Sequence, residues 1–257
     1  MCMRLVLGFV LATVCATAAA DMRVTASLSD FSVQVYDLRP GDASGPSFTL
    51  DGWHTQISSR IETRTSDERD EAVNWGGAQQ TATEVQSGGL SAHTAAHGAL
   101  EMTAFAQGNS TELLPPVRTR EVVYGAAQGQ LSFTLGAYSS ATLSLLGRID
   151  VERDGIELAP ILAVGHILIA SPRSVPGEGG FMELLYGTDE AARSEEQNFA
   201  FDFVNNTGAS ARFVLYSYMS ANVYGISPVP EIPPWTAWLA GLAMVGWLSR
   251  RVSPAAA

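Results

Sequence analysis

Alternation of apolar and polar side chains over short stretches dominates the chain, in place of the period of an amphipathic helix. In residues 22–38, Val24, Ala26 and Leu28 alternate with Arg23, Thr25 and Ser27, and the pattern resumes after Asp30 with Phe31, Val33 and Val35. Such a segment turns one face to a core and the other to water, so two short strands or one bulged strand are expected. Pro40-Gly41-Asp42 and Ser44-Gly45-Pro46 then supply turn chemistry. Residues 47–61 return to strand character through Phe48, Leu50, Trp53 and Ile57. The strongest apolar runs, 131–135, 141–151 and 158–170, are separated by Gly136-Ala137 and by Asp154-Gly155, a pair that favours a hairpin turn. Residues 181–186, 198–205 and 211–224 add three strands, and 117–124 reads as an edge strand after Pro115-Pro116.

Some stretches lack that signal. Residues 63–80, with Asp67, Glu68, Arg69, Asp70 and Glu71 in succession, read as a solvated loop or short surface helix. Small and polar residues continue to Gly98, before Leu100, Met102, Ala104 and Phe105 suggest a strand. Thr188 ahead of an acidic first turn marks 188–197 as one capped helical turn. About ten strands without a sustained helical period predict an all-β fold, a β-sandwich or jelly roll, over residues 21–226. One core fits that length.

Both ends depart from this pattern. Residues 1–20 combine Arg4, an apolar run from Leu5 to Val14 and Ala18-Ala19-Ala20 before Asp21, the order of a cleaved secretory signal peptide. A lipoprotein reading would acylate Cys15, but Val14 stands where a small residue is wanted and Ala12 where leucine is usual. Cys2 and Cys15 both lie in this leader, so the mature chain has no cysteine for a disulfide, thiolate nucleophile or thiolate metal site.

Residues 21–226 hold 12 arginines, no lysine and 25 carboxylates, a net charge of −13. Polyanions are repelled, which excludes nucleic acid as a partner and keeps an exported protein dissolved. The motifs of the α/β-hydrolase elbow, the phosphate-binding loop, the dinucleotide fold and the zinc protease helix are absent from the sequence, and no catalytic residues are expected.

Other chemistry is sparse. His93, His97 and Glu101 would share a helical face, but on a strand the two imidazoles stand roughly 13 Å apart, too far for one metal. His166, inside an apolar run, reads as a core or sheet-face histidine. Asp37 with Asp42, or Asp150 with Asp154, could supply oxygen ligands to Ca²⁺, yet no calcium-loop motif accompanies them and neither metal nor cofactor is expected. Trp53 and Trp75 are the candidates for stacking on sugar rings, with Trp53 otherwise a core residue and Trp75 otherwise in a loop.

The C-terminal tail carries the most specific signal. Val229-Pro230-Glu231-Ile232-Pro233-Pro234 ends a linker at 227–234, and 235–249 is an uncharged segment with Trp235, Trp238, Gly241 and Trp247. Its uncharged stretch, residues 235–248, spans roughly 21 Å as a helix at ~1.5 Å per residue. Indoles near both ends favour membrane interfaces, and Arg250 and Arg251 can snorkel to the far side, extending a short transmembrane helix. The positive-inside rule leaves 250–257 in the cytoplasm and residues 21–226 outside.

This order resembles the PEP-CTERM sorting signal of Gram-negative bacteria, a tail also labelled the C-terminal domain of ice-binding proteins. Val229, Pro230, Glu231, Trp235, Leu239, Ala240, Gly241, Leu242, Gly246, Trp247, Arg250 and Arg251 occupy its positions, while Ile232 stands in place of the second proline. The resemblance implies an inner-membrane precursor, cleavage near Pro230-Glu231 by an exosortase-type membrane protease, and release to the cell surface or extracellular matrix. Residues 37–42 and 203–208 look like segments of such exported proteins, which are often β-sandwiches. The expected function is a non-enzymatic structural or adhesive role at the surface. Alternatives are an exopolysaccharide-binding module, with or without Ca²⁺, and a secreted hydrolase with paired carboxylates.

Overall fold

The computed structural model describes residues 21–41, 45–63, 66–75, 80–109, 113, 121–154, 161–171, 180–188 and 192–225. The leader at 1–20, the linker, the apolar tail segment and the terminal arginines lie outside them.

The described residues form twelve strands and no helix: β1 (Asp21–Asp37), β2 (Phe48–Glu62), β3 (Asp67–Trp75), β4 (Thr81–Ser87), β5 (Leu90–His97), β6 (Glu101–Asn109), β7 (Val122–Leu135), β8 (Ser139–Asp154), β9 (Ile161–Ser171), β10 (Gly180–Thr188), β11 (Arg193–Asn205) and β12 (Ala211–Gly225). They build two six-stranded sheets. The first runs β11-β8-β1-β6-β5-β4 and the second β10-β9-β12-β7-β2-β3. Every pairing is antiparallel. The all-β expectation holds, in a sandwich-like arrangement.

Alternation explains the core. Apart from the edge strands β3 and β10, the strands bury alternate residues over much of their length, and Val24, Leu143, Leu145, Ile149, Ile167, Phe199 and Met219 from the two sheets join one cluster. At one end Phe133 is fully buried among aromatic rings, with centroids 5.1 Å from Phe48, 4.9 Å from Phe203 and 5.7 Å from Phe213. Burial on this scale is worth ~25 cal/mol per Å² of apolar surface, which makes this ring cluster a main source of stability at that end.

β1 is one long bulged strand. Its register on β8 shifts between Ser29 and Ser32, where Asp30 takes a positive φ of 56°. Before the bulge β1 pairs with both β6 and β8, and after it the pairing continues on β8 alone. β2 does the same in the second sheet: residues 48–53 pair with β7, and β3 joins only at His54. Both sheets therefore narrow toward the phenylalanine cluster.

Five expectations are corrected. Residues 67–75 form strand β3 where a loop or helix was expected, because pairing with β2 and side-chain links to β4 replace apolar burial: Asn74 Nδ2 donates to Thr81 Oγ1 at 2.9 Å and the Glu84 amide donates to Asp70 Oδ2 at 3.2 Å. Residues 81–97 form β4 and β5, whose buried positions are Thr83, Val85, Leu90, Ala92, Thr94 and Ala96. Asp154-Gly155 does not join a hairpin, since β8 belongs to the first sheet and β9 to the second. Arg193 already opens strand β11, so no helical turn reaches residue 197. The strand expected at 117–124 is, from Val122 onward, part of β7, between β12 and β2 and not at an edge.

Candidate ligand-binding face

The two sheets present unlike faces to solvent. On the first, outward positions are mainly polar, with Thr25, Ser27, Thr142, Ser144, Arg148, Asp150 and Asp202, and include Tyr36, Phe105 and Leu146. On the second they read Trp75, His54, Gln130, Tyr216, Tyr218, Tyr124, His166 and Phe181. Five of the eight exposed large apolar residues, Val73, Trp75, Phe181, Leu185 and Tyr216, stand on this second face, which marks it as the candidate surface.

Strand register orders these side chains into rows. Trp75, His54, Gln130, Tyr216, Ala170 and Phe181 are successive partners across all six strands. At ~4.8 Å between strands the row is roughly 24 Å long. Trp75 is 76% exposed at one edge and Phe181 69% exposed at the other. The next row places Val73, Gln56, Gln128, Tyr218, Leu168 and Glu183 side by side.

Beside these rows lies a depression of about 470 Å³, lined by Arg60, Tyr124, His166, Tyr218, Asn222 and Tyr224 among others. Ser220 and Asn222 form its floor, outward-pointing yet buried beneath the tyrosines, with Asn222 Nδ2 donating to Ser220 Oγ at 3.0 Å. Burial, followed by the charge and hydrogen bond of Tyr218, pushes the Tyr124 phenol up to about 12 against an opposing bond with Ser58. It is thus a neutral hydroxyl at any physiological pH. The His166 imidazole shares a 2.7 Å hydrogen bond with Glu183 and stands edge-on to Tyr218 at 5.5 Å.

Among the described residues, every arginine of the face is held by a carboxylate. Arg60 meets Glu62 at 3.0 Å and, through a charge contact rather than an aligned hydrogen bond, Asp67 at 3.4 Å. Arg69 pairs with Glu71, and Arg212 lies 3.5 Å from Asp51.

The two tryptophans are not brought together. Trp75 caps strand β3 and packs on His54, so it lies on a strand rather than in a loop. Trp53 points the other way, half-buried against the core and lining a second, apolar groove of about 290 Å³ with Phe31, Leu50, Leu131 and the turn at residues 98–100. That turn is fixed from within: Thr55 Oγ1 donates to the Gly98 carbonyl at 2.7 Å and Ser217 Oγ to the Ala99 carbonyl at 2.8 Å.

His93 and His97 lie on strand β5, as the extended alternative required. His97 instead bonds Glu101 across the turn to β6, Nδ1 to Oε2 at 2.9 Å. His166 is a sheet-face residue.

Asp37 caps its own turn by accepting from the Arg39 amide at 2.8 Å, and its suggested partner Asp42 lies outside the described residues. Asp150 is matched with Arg148 at 2.7 Å; burial raises its carboxyl, but hydrogen bonds from Arg148 and Ser194 and the Arg148 charge outweigh this and lower it. Among the described residues no group of three or more His, Cys, Asp or Glu gathers to hold a metal. The same residues contain no helix long and apolar enough to cross a membrane.

Sequence reasoning missed Tyr124, Tyr216, Tyr218, Asn222 and the glutamines because each looks ordinary in its strand. Their convergence comes from pairing partners far apart in the chain. The alternation of Tyr216, Tyr218, Ser220, Asn222 and Tyr224 on one side of β12 was the available signal. No protein-family model, no curated protein and no solved structure matches the chain.

Proposed function

We propose that the chain is an exported, non-enzymatic adhesive protein whose sandwich binds an extracellular polysaccharide through the outer face of the second sheet. One observation carries this reading: Trp75, His54, Gln130, Tyr216 and Phe181 stand in register across that sheet beside the tyrosine-lined depression. Flat rings offer stacking surfaces for the apolar faces of sugars, while amides and hydroxyls both donate and accept, as sugar hydroxyls do. Trp75 keeps its expected stacking role. Trp53, turned inward, contributes to the groove on the other side of β2.

Export and sorting follow from the two ends of the sequence. The leader at 1–20 directs secretion. The tail is inserted through 235–249, stopped by Arg250 and Arg251, and recognised at Val229, Pro230, Glu231 and Pro233 by an exosortase-type protease. The precursor is anchored in the inner membrane, and the cleaved product reaches the cell surface or the exopolysaccharide matrix. Intact mass of the mature protein from its host tests this: a chain ending near Glu231 supports processing, and one that retains residues 235–251 refutes it.

The binding reading is tested by incubating the full chain with a panel of insoluble polysaccharides. Retention on at least one, weakened in Trp75→Ala, is expected. Failure to be retained on any would remove the reading.

A further inference from the structure

Building on the polysaccharide-binding reading, we infer that the ligand is an electrically neutral, extended glycan chain lying across the strands along the row from Trp75 to Phe181. Length argues for a chain. The row runs the full width of the sheet, roughly 24 Å at ~4.8 Å per strand, with exposed rings at both ends. A single sugar ring would use one of those platforms and leave the other idle.

Charge argues for neutrality. An anionic polymer needs cations that are free to meet it, and selective sites for carboxylate or phosphate are built around arginine forks. Here Arg60, Arg69 and Arg212 are each already matched by Glu62 and Asp67, Glu71 and Asp51. Among the described residues, with Glu183 the face carries five carboxylates against three guanidinium groups, so a uronate, sulfate or phosphate polymer would face net repulsion as well as the cost of breaking these pairs. The polar groups in and next to the row are instead amides: Gln130 in the row, with Gln56 and Gln128 beside it. Uncharged groups that both donate and accept suit hydroxyls and give binding little salt dependence.

The test is affinity electrophoresis of the full chain, in a detergent without a sugar headgroup, through gels cast with dextran, mannan, a β-glucan, alginate or polygalacturonate. Retardation by at least one neutral polymer, unchanged by added salt, with the two acidic polymers inert, is expected. Trp75→Ala, an exposed change that leaves the core intact, should weaken that retardation about tenfold, and Tyr216→Ala by a similar factor. Salt-sensitive retardation by alginate or polygalacturonate would overturn neutrality while leaving the polysaccharide reading standing. Retardation that neither substitution alters would overturn placement along this row, and retardation by none of the five would overturn both inferences.

Discussion

The rings of His54 and Trp75 have centroids 3.9 Å apart and planes tilted by 35°. They are direct cross-strand partners, and the contact holds the most exposed indole of the sandwich in one orientation, at the edge of the aromatic row. Trp75→Ala should therefore leave thermal stability within about 0.5 kcal/mol of the parent, as expected for a surface change, while lowering polysaccharide retention about tenfold. Bound neutral polymer should also shield the wild-type indole from iodide quenching, measured by fluorescence.

Phe133 is expected to matter for stability alone. It contacts three other phenylalanines and is fully buried, so Phe133→Ala leaves a cavity and should cost about 3–5 kcal/mol in urea unfolding. Any surviving folded fraction should keep its polysaccharide preference, because the substituted ring points into the core.

Asn205 ties the same end together. Its Nδ2 donates to the carbonyls of Gly136 at 2.6 Å and Ala209 at 2.7 Å, and its Oδ1 accepts from the Thr207 amide and hydroxyl. Asn205→Ala removes the buried amide that gathers these part-buried groups and should destabilise by about 1–3 kcal/mol, whereas Asn206→Ala, at an exposed neighbour, should be close to neutral. Comparing the two unfolding midpoints checks this.

Gly129 records a close approach between the sheets. A Cβ there would sit 2.1 Å from the Ala99 carbonyl oxygen and 2.5 Å from Ser217 Oγ, so the fixed turn at 98–100 must move to admit it. Gly129→Ala should cost about 1–3 kcal/mol. Gly180→Ala, where a Cβ meets nothing within 4 Å, should cost far less in the same denaturation experiment.

Tyr124 sets an alkaline limit. Its folded pKa, about 12, lies above the ordinary value of 10.0, so its contribution is complete below pH 10 and is lost as pH rises through 12. Stability measured between these limits should fall less steeply for Tyr124→Phe than for the parent. A phenolate titration followed by ultraviolet absorbance should lose a tyrosine that ionises near pH 12 in that variant.

Legibility in the sequence tracked the size of buried side chains. β1 and β8 were readable because Val24 and Leu143 alternate with polar neighbours, and β9 and β12 because Ile167 and Leu215 lie in runs rich in branched and aromatic residues. β4 and β5 were not, because their inward positions are mostly alanines and threonines: Ser59 Oγ lies 2.8 Å from Thr83 Oγ1 and 3.2 Å from Thr94 Oγ1, all buried. Hydrogen bonding there replaces apolar contact, so the hydrophobic period vanishes. β3 escaped notice for the related reason that an edge strand carrying Glu68, Asp70 and Asn74 on its inner side is held by pairing and side-chain links.

The two segments singled out for resemblance, 37–42 and 203–208, show the opposite behaviour. Both converge on Tyr138: the Leu38 amide donates to its carbonyl at 2.8 Å, its own amide donates to the Thr207 carbonyl at 3.0 Å, and the Arg39 guanidinium covers its ring at 3.6 Å. Local motif reading found the pieces, but only the fold could supply the residue that joins them.

The contrast between the two outer faces carries a consequence at the scale of many molecules. A sandwich that grips a polymer by its aromatic sheet must turn the serines, threonines, aspartates and arginines of the other sheet away from it. Polymer fibres decorated side by side would acquire a hydrated, ion-bearing coat. The protein would then act as a one-sided sizing agent, converting a neutral strand into one whose bundles repel each other and hold water.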